Sequence, residues 1–333
     1  MIRRVLAIKT LRGYKHMSPS YKSVFEWEDI IAHEMGMKLF WVKRWVSVNK
    51  ARIDKRKLTE IYHLLLPRKK RIFLFFDMIA IPTRRCVLDV NTIPVIIDFW
   101  LSKDELHRFY NAYKHCPLVL ITSLEVYEFL IDNACPLNIE HWPLSLPDSV
   151  DIKYDEKLYD FCFIGRKDPF FVEFVKRYSE EHPDFIYVVN NDDINHRKYY
   201  TNKGDFIGAD AGRETYLNII RRSKICTYTT PGFDKAKKQS DFFNQVTPRV
   251  LEMLSGGCYI LGHYPDNLET NFYELKSMVP QIKNYADFEY YMDLYRNSPN
   301  RNIEDCRAYL SKHNTSSRIP ILKRILKKHG IQY

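Results

Sequence analysis

Three short segments in the second half of the sequence carry the residue types that bind phosphate and sugar groups. Gly165-Arg166-Lys167 joins a glycine, whose missing side chain lets a ligand approach the backbone closely, to two cations that suit a diphosphate. Thr229-Thr230 adds two hydroxyls that suit a phosphate or a ribose. Each of these segments alone is also typical of a solvated surface turn. Their recurrence after successive predicted strands, together with the third segment, favours one anion-binding site.

The third segment is a helix whose first turn suits an anion. Thr247 is a favourable N-cap, Pro248 fits the first helical position, and Gly256-Gly257 fits the end. The N-terminus of such a helix presents unpaired amides and the positive end of the helix dipole. Arg249 adds a full charge, and Glu252 can accept hydrogen bonds from two sugar hydroxyls. The alternative is an ordinary capped helix with an Arg249–Glu252 ion pair at i,i+3 spacing.

Apolar runs and helical signals alternate along the sequence, as in α/β proteins with parallel sheets. The predicted strands are 5–8, 39–42, 72–76, 94–98, 118–121, 159–164, 185–189, 225–230 and 258–261. Helical stretches separate most of them, and three more helices close the chain, at 287–296, 303–312 and 319–328. The segment 143–157, which contains prolines, serines and charges, is typical of a linker. The pattern predicts two doubly wound, Rossmann-like domains that face each other across a cleft and bind ligands beyond the carboxyl ends of their strands.

Composition narrows the class of protein. The chain has 333 residues, with 51 Lys and Arg against 41 Asp and Glu, and its net charge of +10 attracts polyanions. The cations are dispersed and no nucleic-acid-binding motif is present, so contact with an anionic membrane surface is favoured over nucleic acid. Seven cysteines without a Cys-x-x-Cys pair indicate reduced thiols. We find no run of 18 apolar residues and no secretion signal, and therefore expect a cytoplasmic protein, at most peripheral at the inner face of the membrane.

Residues 155–325 resemble the carboxyl-terminal domain of group-1 glycosyltransferases of the GT-B fold. Within that family they are most similar to the branch that includes spore-maturation-protein-like transferases. The segments that carry the resemblance are Tyr159–Arg166, Tyr216–Ser223, Thr247–Gly257 and His313–Arg318. The resemblance in the first half of the chain is restricted to the domain pattern and 119–147.

The resemblance implies different roles for three segments of the chain. It implies an acceptor-side domain at 1–148, a nucleotide-sugar domain at 149–315, and a closing helix at 316–333 that packs back towards the first domain. The substrates implied are a nucleotide-diphosphate sugar and a glycan or lipid-linked acceptor. The family's ribose-binding glutamate falls on Glu252, and its diphosphate-binding positions fall on Gly165, Arg166 and the start of the Thr247 helix. The predicted donor site comprises Gly165, Arg166, Lys167, Thr229, Thr230, Asn244, Thr247, Arg249 and Glu252.

One of these positions departs from the family's pattern. Many relatives carry a second glutamate eight residues before the ribose-binding one, and this chain has Asn244 there. The departure leaves the stereochemical class open. It also keeps open a second hypothesis, a protein that binds nucleotides or glycans with this fold but has lost transfer activity.

Glycosyl transfer requires that the leaving diphosphate be stabilised and the acceptor hydroxyl be positioned or deprotonated. No two aspartates in the chain have Asp-x-Asp spacing, a motif that holds a metal in the other common transferase fold, so we expect a reaction without a metal or other cofactor. An inverting enzyme needs a base from the first domain. We rank Asp98, predicted to end a strand, ahead of His16, in the first strand-end loop. Asp77, predicted to end another strand, is a further alternative.

Overall fold

The computed structural model describes residues 3–13, 21–42, 71–80, 89–165, 167–191, 197–209, 213–233 and 243–333. Two compact units make up the chain. Unit 1 contains Met1–Asp148 together with Asn314–Tyr333, and unit 2 contains Ser149–His313. The first division falls inside the predicted linker, and the second falls two residues before the predicted closing segment.

The strands and helices are numbered here in chain order over the described residues. The strands are β1 Arg3–Thr10, β2 Lys38–Trp41, β3 Arg71–Ile79, β4 Thr92–Asp98, β5 Val119–Ile121, β6 Ile139–His141, β7 Tyr159–Phe163, β8 Tyr187–Asn190, β9 Lys198–Thr201, β10 Phe206–Ala209, β11 Ser223–Thr229, β12 Tyr259–His263 and β13 Ile331–Gln332. The helices are α1 Tyr21–Glu34, α2 Leu106–Tyr113, α3 Leu124–Asp132, α4 Pro169–Glu181, α5 Arg213–Arg221, α6 Pro248–Ser255, α7 Leu268–Phe272, α8 Tyr285–Asn297, α9 Ile303–Ser311 and α10 Thr315–Lys328.

Unit 1 is a doubly wound α/β fold built on a parallel sheet. Its strand order is β13-β1-β3-β4-β5-β6, with β2 also paired to β1. Helices α1 and α10 pack together on one face, where Ile319, Leu322 and Leu326 of α10 are buried in the core. Helix α2 lies on the opposite face, where the Tyr113 hydroxyl donates to Asp77 Oδ2 at 2.8 Å. Helices on both faces of a parallel sheet confirm the predicted fold class for this unit.

Unit 2 has the same central arrangement with an antiparallel extension. Its strand order is β10-β9-β8-β7-β11-β12, and the four strands from β8 to β12 in that order are parallel. Helices α4 and α8 bury Phe171, Val175 and Phe288 in the core on one face, while α6 packs against both α5 and α9. Strands β9 and β10 pair antiparallel and were not predicted. Each has four residues, too short to show a periodicity of its own.

Two helix starts in unit 1 are capped by serine, and two predictions for this unit need correction. Ser102 and Glu105 form a capping box at a 3-10 turn that leads into α2. The cap of α3 is Ser123, whose side chain accepts from the amide of Val126. The predicted linker is packed rather than loose at its start, because Trp27 Nε1 donates to the carbonyl of Ser145 at 3.1 Å. The prediction that Asp77 ends a strand was wrong, since β3 continues to Ile79.

Asp77 is a buried carboxyl, 6% exposed. Burial raises its pKa from 3.8 to about 7, against the opposing effect of the hydrogen bond from Tyr113. A carboxyl whose pKa is higher in the folded protein stabilises the fold only while it is protonated. The stability of unit 1 is therefore expected to fall as the pH rises from about 4 towards 7.

Replacement of Asp77 by asparagine removes this dependence, because the amide cannot ionise and keeps an oxygen for Tyr113. We expect Asp77→Asn to match the wild type near pH 4 and to exceed its free energy of unfolding at pH 8 by about 3–4 kcal/mol. Urea unfolding at both pH values measures the difference. Asp151→Asn, at an exposed position, is the control. A difference between Asp77→Asn and wild type that is equal at the two pH values would contradict the expectation.

Candidate functional site

The predicted donor residues of unit 2 come from the carboxyl ends of β7 and β11 and from the first turn of α6. Strands β7 and β11 are neighbours in the sheet, with β8 on the far side of β7 and β12 on the far side of β11. The chain therefore leaves β7 towards one side of the sheet and later returns to build the other side. Such a point of reversal is where open α/β sheets bind their ligands.

The loop after β7 is fixed by the end of β8. Gly165 has φ +84°, in the left-handed region that favours glycine, and its amide donates to Asn190 Oδ1 at 2.7 Å. The ammonium of Lys167 donates to the carbonyl of Asn190 at 3.0 Å. The amide of Gly165 is therefore engaged within the protein, and the loop is held by a residue that the sequence did not single out.

The guanidinium of Arg249 lies directly against Gly165. A Cβ atom at residue 165 would lie 2.8 Å from Arg249 Nη2, closer than real contacts allow. Glycine is thus needed here for the approach of an arginine, whereas the sequence suggested the approach of a ligand. The consequence is that a guanidinium, the first turn of α6 and the β7 loop meet at one place.

Helix α6 starts at the predicted residue, but its N-cap side chain does not make the expected capping hydrogen bond. Thr247 has the extended conformation of an N-cap and Pro248 opens the helix, yet the Thr247 side chain makes no capping hydrogen bond. The amide of Thr247 instead donates to the Tyr228 hydroxyl at 3.0 Å. This bond fixes the first turn of α6 to β11, and with it the position of Arg249.

Asp168 connects three strand ends. Its Oδ1 accepts from the amide of Phe170, which caps α4, and its Oδ2 accepts from the Thr229 hydroxyl at 2.9 Å and from His263 Nδ1 at 2.6 Å. Burial alone would raise the pKa of Asp168, but the hydrogen bonds from His263, Phe170 and Thr229 hold it below its usual value. The ionised carboxylate therefore joins the β7 loop, the end of β11 and the end of β12.

The imidazole of His263 is held by aromatic rings as well as by Asp168. It stacks on the Phe170 ring with centroids 3.9 Å apart and meets the Phe233 ring edge-on at 4.5 Å. Because the carboxylate accepts from Nδ1, the imidazole carries a proton on that nitrogen. The His263 side chain is 18% exposed, so part of it reaches solvent.

Thr230 and Asn244 form a second internal pair. The Thr230 hydroxyl donates to Asn244 Oδ1 at 2.9 Å, and Thr230 is fully buried. Its role here is to orient Asn244. The Thr229 hydroxyl is likewise used inside the protein, by Asp168.

Glu252 is buried in an ion pair that the sequence did not predict. Its Oε1 contacts Nη1 of Arg213, the first residue of α5, and both side chains are largely covered. Tyr216, one turn further along α5, lies close enough to Glu252 and Arg249 for both charges to affect its phenol. The N-terminal halves of α5 and α6 therefore share one polar cluster.

The other predicted site residues lie apart from this cluster or outside the described ranges. Asp98 is the last residue of β4 in unit 1, where its carbonyl accepts from the amide of Ala80. His16 and Arg166 lie outside the described residues. Asp168, Asn190, Arg213 and His263 were missed. Asp168 precedes Pro169, which is a readable helix-start signal, and Asn190 and His263 end strands, but nothing local identifies Arg213.

Within the described ranges, no group of three or more His, Cys, Asp or Glu side chains is arranged to hold a metal ion. None of the helices in that part of the chain is long and apolar enough to cross a membrane.

Comparison with known proteins gave likeness at the level of three-dimensional structure. No family model matches the sequence, and no curated protein matches it significantly. Among solved structures, the chain is similar to the GtfA/B complex, with a TM-score of 0.49 and 10% identity over 83% of this chain and 60% of that one. It is also similar to the pneumococcal O-GlcNAc transferase GtfA in complex with UDP and GlcNAc, with a TM-score of 0.49, 10% identity and coverage of 83% and 59%. The chain spans about 60% of the length of both proteins.

Proposed function

We propose that the chain is a glycosyltransferase of the GT-B type that uses a nucleotide-diphosphate sugar as donor. The observation that carries the proposal is the position of Arg249. Its guanidinium lies at the start of α6 and against Gly165 at the carboxyl end of β7. A helix N-terminus and a guanidinium together suit a diphosphate, and they meet at the point of reversal where open α/β sheets generally bind ligands.

The proposed roles follow from the chemistry of the residues. Arg249 neutralises the charge that develops on the leaving diphosphate, together with Arg166, which the sequence predicts as a donor-site residue. Glu252 accepts hydrogen bonds from ribose hydroxyls. Asp98 remains our first proposal, and His16 our second, for the base that takes the acceptor's proton. The acceptor is proposed to be the hydroxyl of a glycan or of a lipid-linked sugar, and the reaction to need no metal.

Binding of nucleoside diphosphates is the first test. We expect calorimetry with UDP, GDP, ADP and CDP to show binding of at least one, and Arg249→Ala to weaken that affinity about tenfold or more, the loss of one charge-assisted contact. Arg177→Ala is the matched control, because Arg177 is an exposed arginine on α4 of the same unit, paired with Glu181. Glu252→Ala and Arg166→Ala are expected to weaken binding as well. Unchanged affinity in all three variants would refute the donor-site assignment.

Transfer separates an enzyme from an inactive binding protein of the same fold. The purified chain is incubated with the sugar conjugate of the nucleotide that binds best, in the presence of EDTA, and free nucleoside diphosphate is measured. Release of the diphosphate, by transfer or by slow hydrolysis, supports an enzyme that works without a metal. Tight binding with no turnover in either EDTA or added Mg²⁺ would favour the binding protein.

A further inference from the structure

Among the side chains around Glu252, the phenol of Tyr216 stands out. Its hydroxyl oxygen is buried and has no hydrogen-bond partner among the residues that the structure describes. A buried hydroxyl without a partner costs free energy, and such groups are few in folded proteins. Tyr216 lies on α5 and is half-buried as a whole. Its hydroxyl oxygen is the part that is both buried and without a hydrogen bond to a described residue.

The neighbours of the hydroxyl define what it can bind. Burial and the nearby carboxylate of Glu252 raise the pKa of the phenol well above its usual value, while Arg249 acts in the opposite direction. The phenol therefore keeps its proton at neutral pH and can both donate and accept a hydrogen bond. Glu252, by contrast, can only accept, and Arg213 fixes one of its oxygens.

A group placed beside both residues must be able to donate to Glu252 and to exchange a hydrogen bond with Tyr216. A phosphate oxygen cannot donate and would be repelled by the carboxylate. A hydroxyl meets both requirements. In a nucleoside diphosphate, the groups of this kind are the 2′ and 3′ hydroxyls of the ribose.

We propose that Tyr216 is a specificity residue of the donor site, whose hydroxyl binds a ribose hydroxyl beside Glu252 and so selects ribonucleotides over deoxyribonucleotides. Arg213 is the positioning residue that orients the carboxylate. The inference rests on the proposed function, because it requires that this site bind a nucleoside diphosphate. It goes further by assigning a residue on a helix that the sequence did not connect with the donor.

The test compares nucleotides that differ by one hydroxyl. The nucleoside diphosphate that binds wild type best is titrated beside its 2′-deoxy and 3′-deoxy analogues. Wild type is expected to prefer the ribonucleotide over at least one analogue by about tenfold or more, because a buried polar group loses its partner in the deoxy complex. Tyr216→Phe is expected to reduce that preference by about 5- to 10-fold, mainly by weakening ribonucleotide binding.

A second tyrosine provides the matched control. Tyr264 is a buried residue of the same unit whose hydroxyl donates to the carbonyl of Val279 at 2.6 Å. Tyr264→Phe is expected to lower the melting temperature and leave the nucleotide preference unchanged. Tyr216→Phe is expected to leave the melting temperature unchanged or to raise it, because it removes a hydroxyl that has no partner.

The possible outcomes distinguish the role of Tyr216 from the proposed binding of a nucleoside diphosphate. Ribonucleotide preference that survives in Tyr216→Phe overturns the role of Tyr216 alone. A wild type that binds ribo- and deoxynucleotides equally overturns the ribose-binding role of Glu252 as well. A fall in melting temperature with unchanged preference would show that Tyr216 is a structural residue. Absence of binding to any nucleoside diphosphate by the folded wild type would overturn the proposed function and this inference with it.

Discussion

Gly165→Ala is expected to weaken nucleoside-diphosphate binding by about tenfold or more and to destabilise unit 2 by about 1–2 kcal/mol. Two separate effects combine at this position. Residue 165 has φ +84°, where a Cβ atom strains the backbone. The new methyl group would also lie 2.8 Å from Nη2 of Arg249, so the guanidinium must leave its position. The first effect reduces stability, and the second removes the cation from the proposed diphosphate site.

A control glycine separates these effects. Gly204 in the turn between β9 and β10 has φ +96°, and no atom lies within 4 Å of where its Cβ would be. Gly204→Ala therefore introduces the backbone strain without displacing any side chain. Urea unfolding is expected to show similar losses in the two variants, whereas calorimetry should show weakened binding only in Gly165→Ala. Equal nucleotide affinity in both variants would mean that the contact between Arg249 and Gly165 has no part in binding.

Asp168→Ala is expected to destabilise unit 2 by about 3 kcal/mol, the largest stability loss predicted here for one side chain. The substitution removes the cap of α4 and leaves the Thr229 hydroxyl and His263 Nδ1 without their acceptor. Because the pKa of Asp168 is held below its usual value, its contribution is complete at neutral pH. The contribution is lost only as the pH falls through that lowered pKa, so the variant and the wild type should converge in acid.

A second helix cap serves as the control that shows how much of this stability loss comes from the hydrogen bonds to Thr229 and His263. Asn284 caps α8 by accepting from the amide of Asp287 at 2.9 Å, and it lies at an exposed position. Asn284→Ala is expected to cost about 1 kcal/mol, the ordinary value for a cap. Chemical unfolding of both variants at pH 7 measures the difference. A loss in Asp168→Ala no larger than that in Asn284→Ala would show that the bonds to Thr229 and His263 contribute nothing.

The local parts of the fold and the site could be predicted from the sequence. Proline after threonine marks the start of α6, and apolar runs mark the central strands, because each of these signals depends on a few adjacent residues. The polar partners could not be predicted. His263 lies 95 residues from Asp168, and Glu252 lies 39 residues from Arg213. Those pairs exist only because the parallel sheet brings distant strand ends and helix starts together.

The difference between local signals and long-range partners also explains why Thr229 and Thr230, which were predicted to bind a ligand, make hydrogen bonds inside the protein. A threonine after a strand suits a phosphate as well as it suits an internal acceptor, and the sequence cannot choose between them. Thr230 is used by Asn244, and Thr229 by Asp168. The sequence predicts where these loops lie relative to the strands, but the hydrogen-bond partners within each loop depend on residues far away along the chain.

Unit 1 is built from both ends of the chain, and this affects the order in which the protein can be made. Strand β13 pairs with β1 through Arg3 and Arg4, and α10 packs on α1. During synthesis, unit 2 is continuous and has all its residues once His313 has left the ribosome. Unit 1 keeps an apolar face of α1 uncovered until Asn314–Tyr333 has been synthesised. A chain that stops before this segment would carry that exposed surface to the cell's chaperones and proteases.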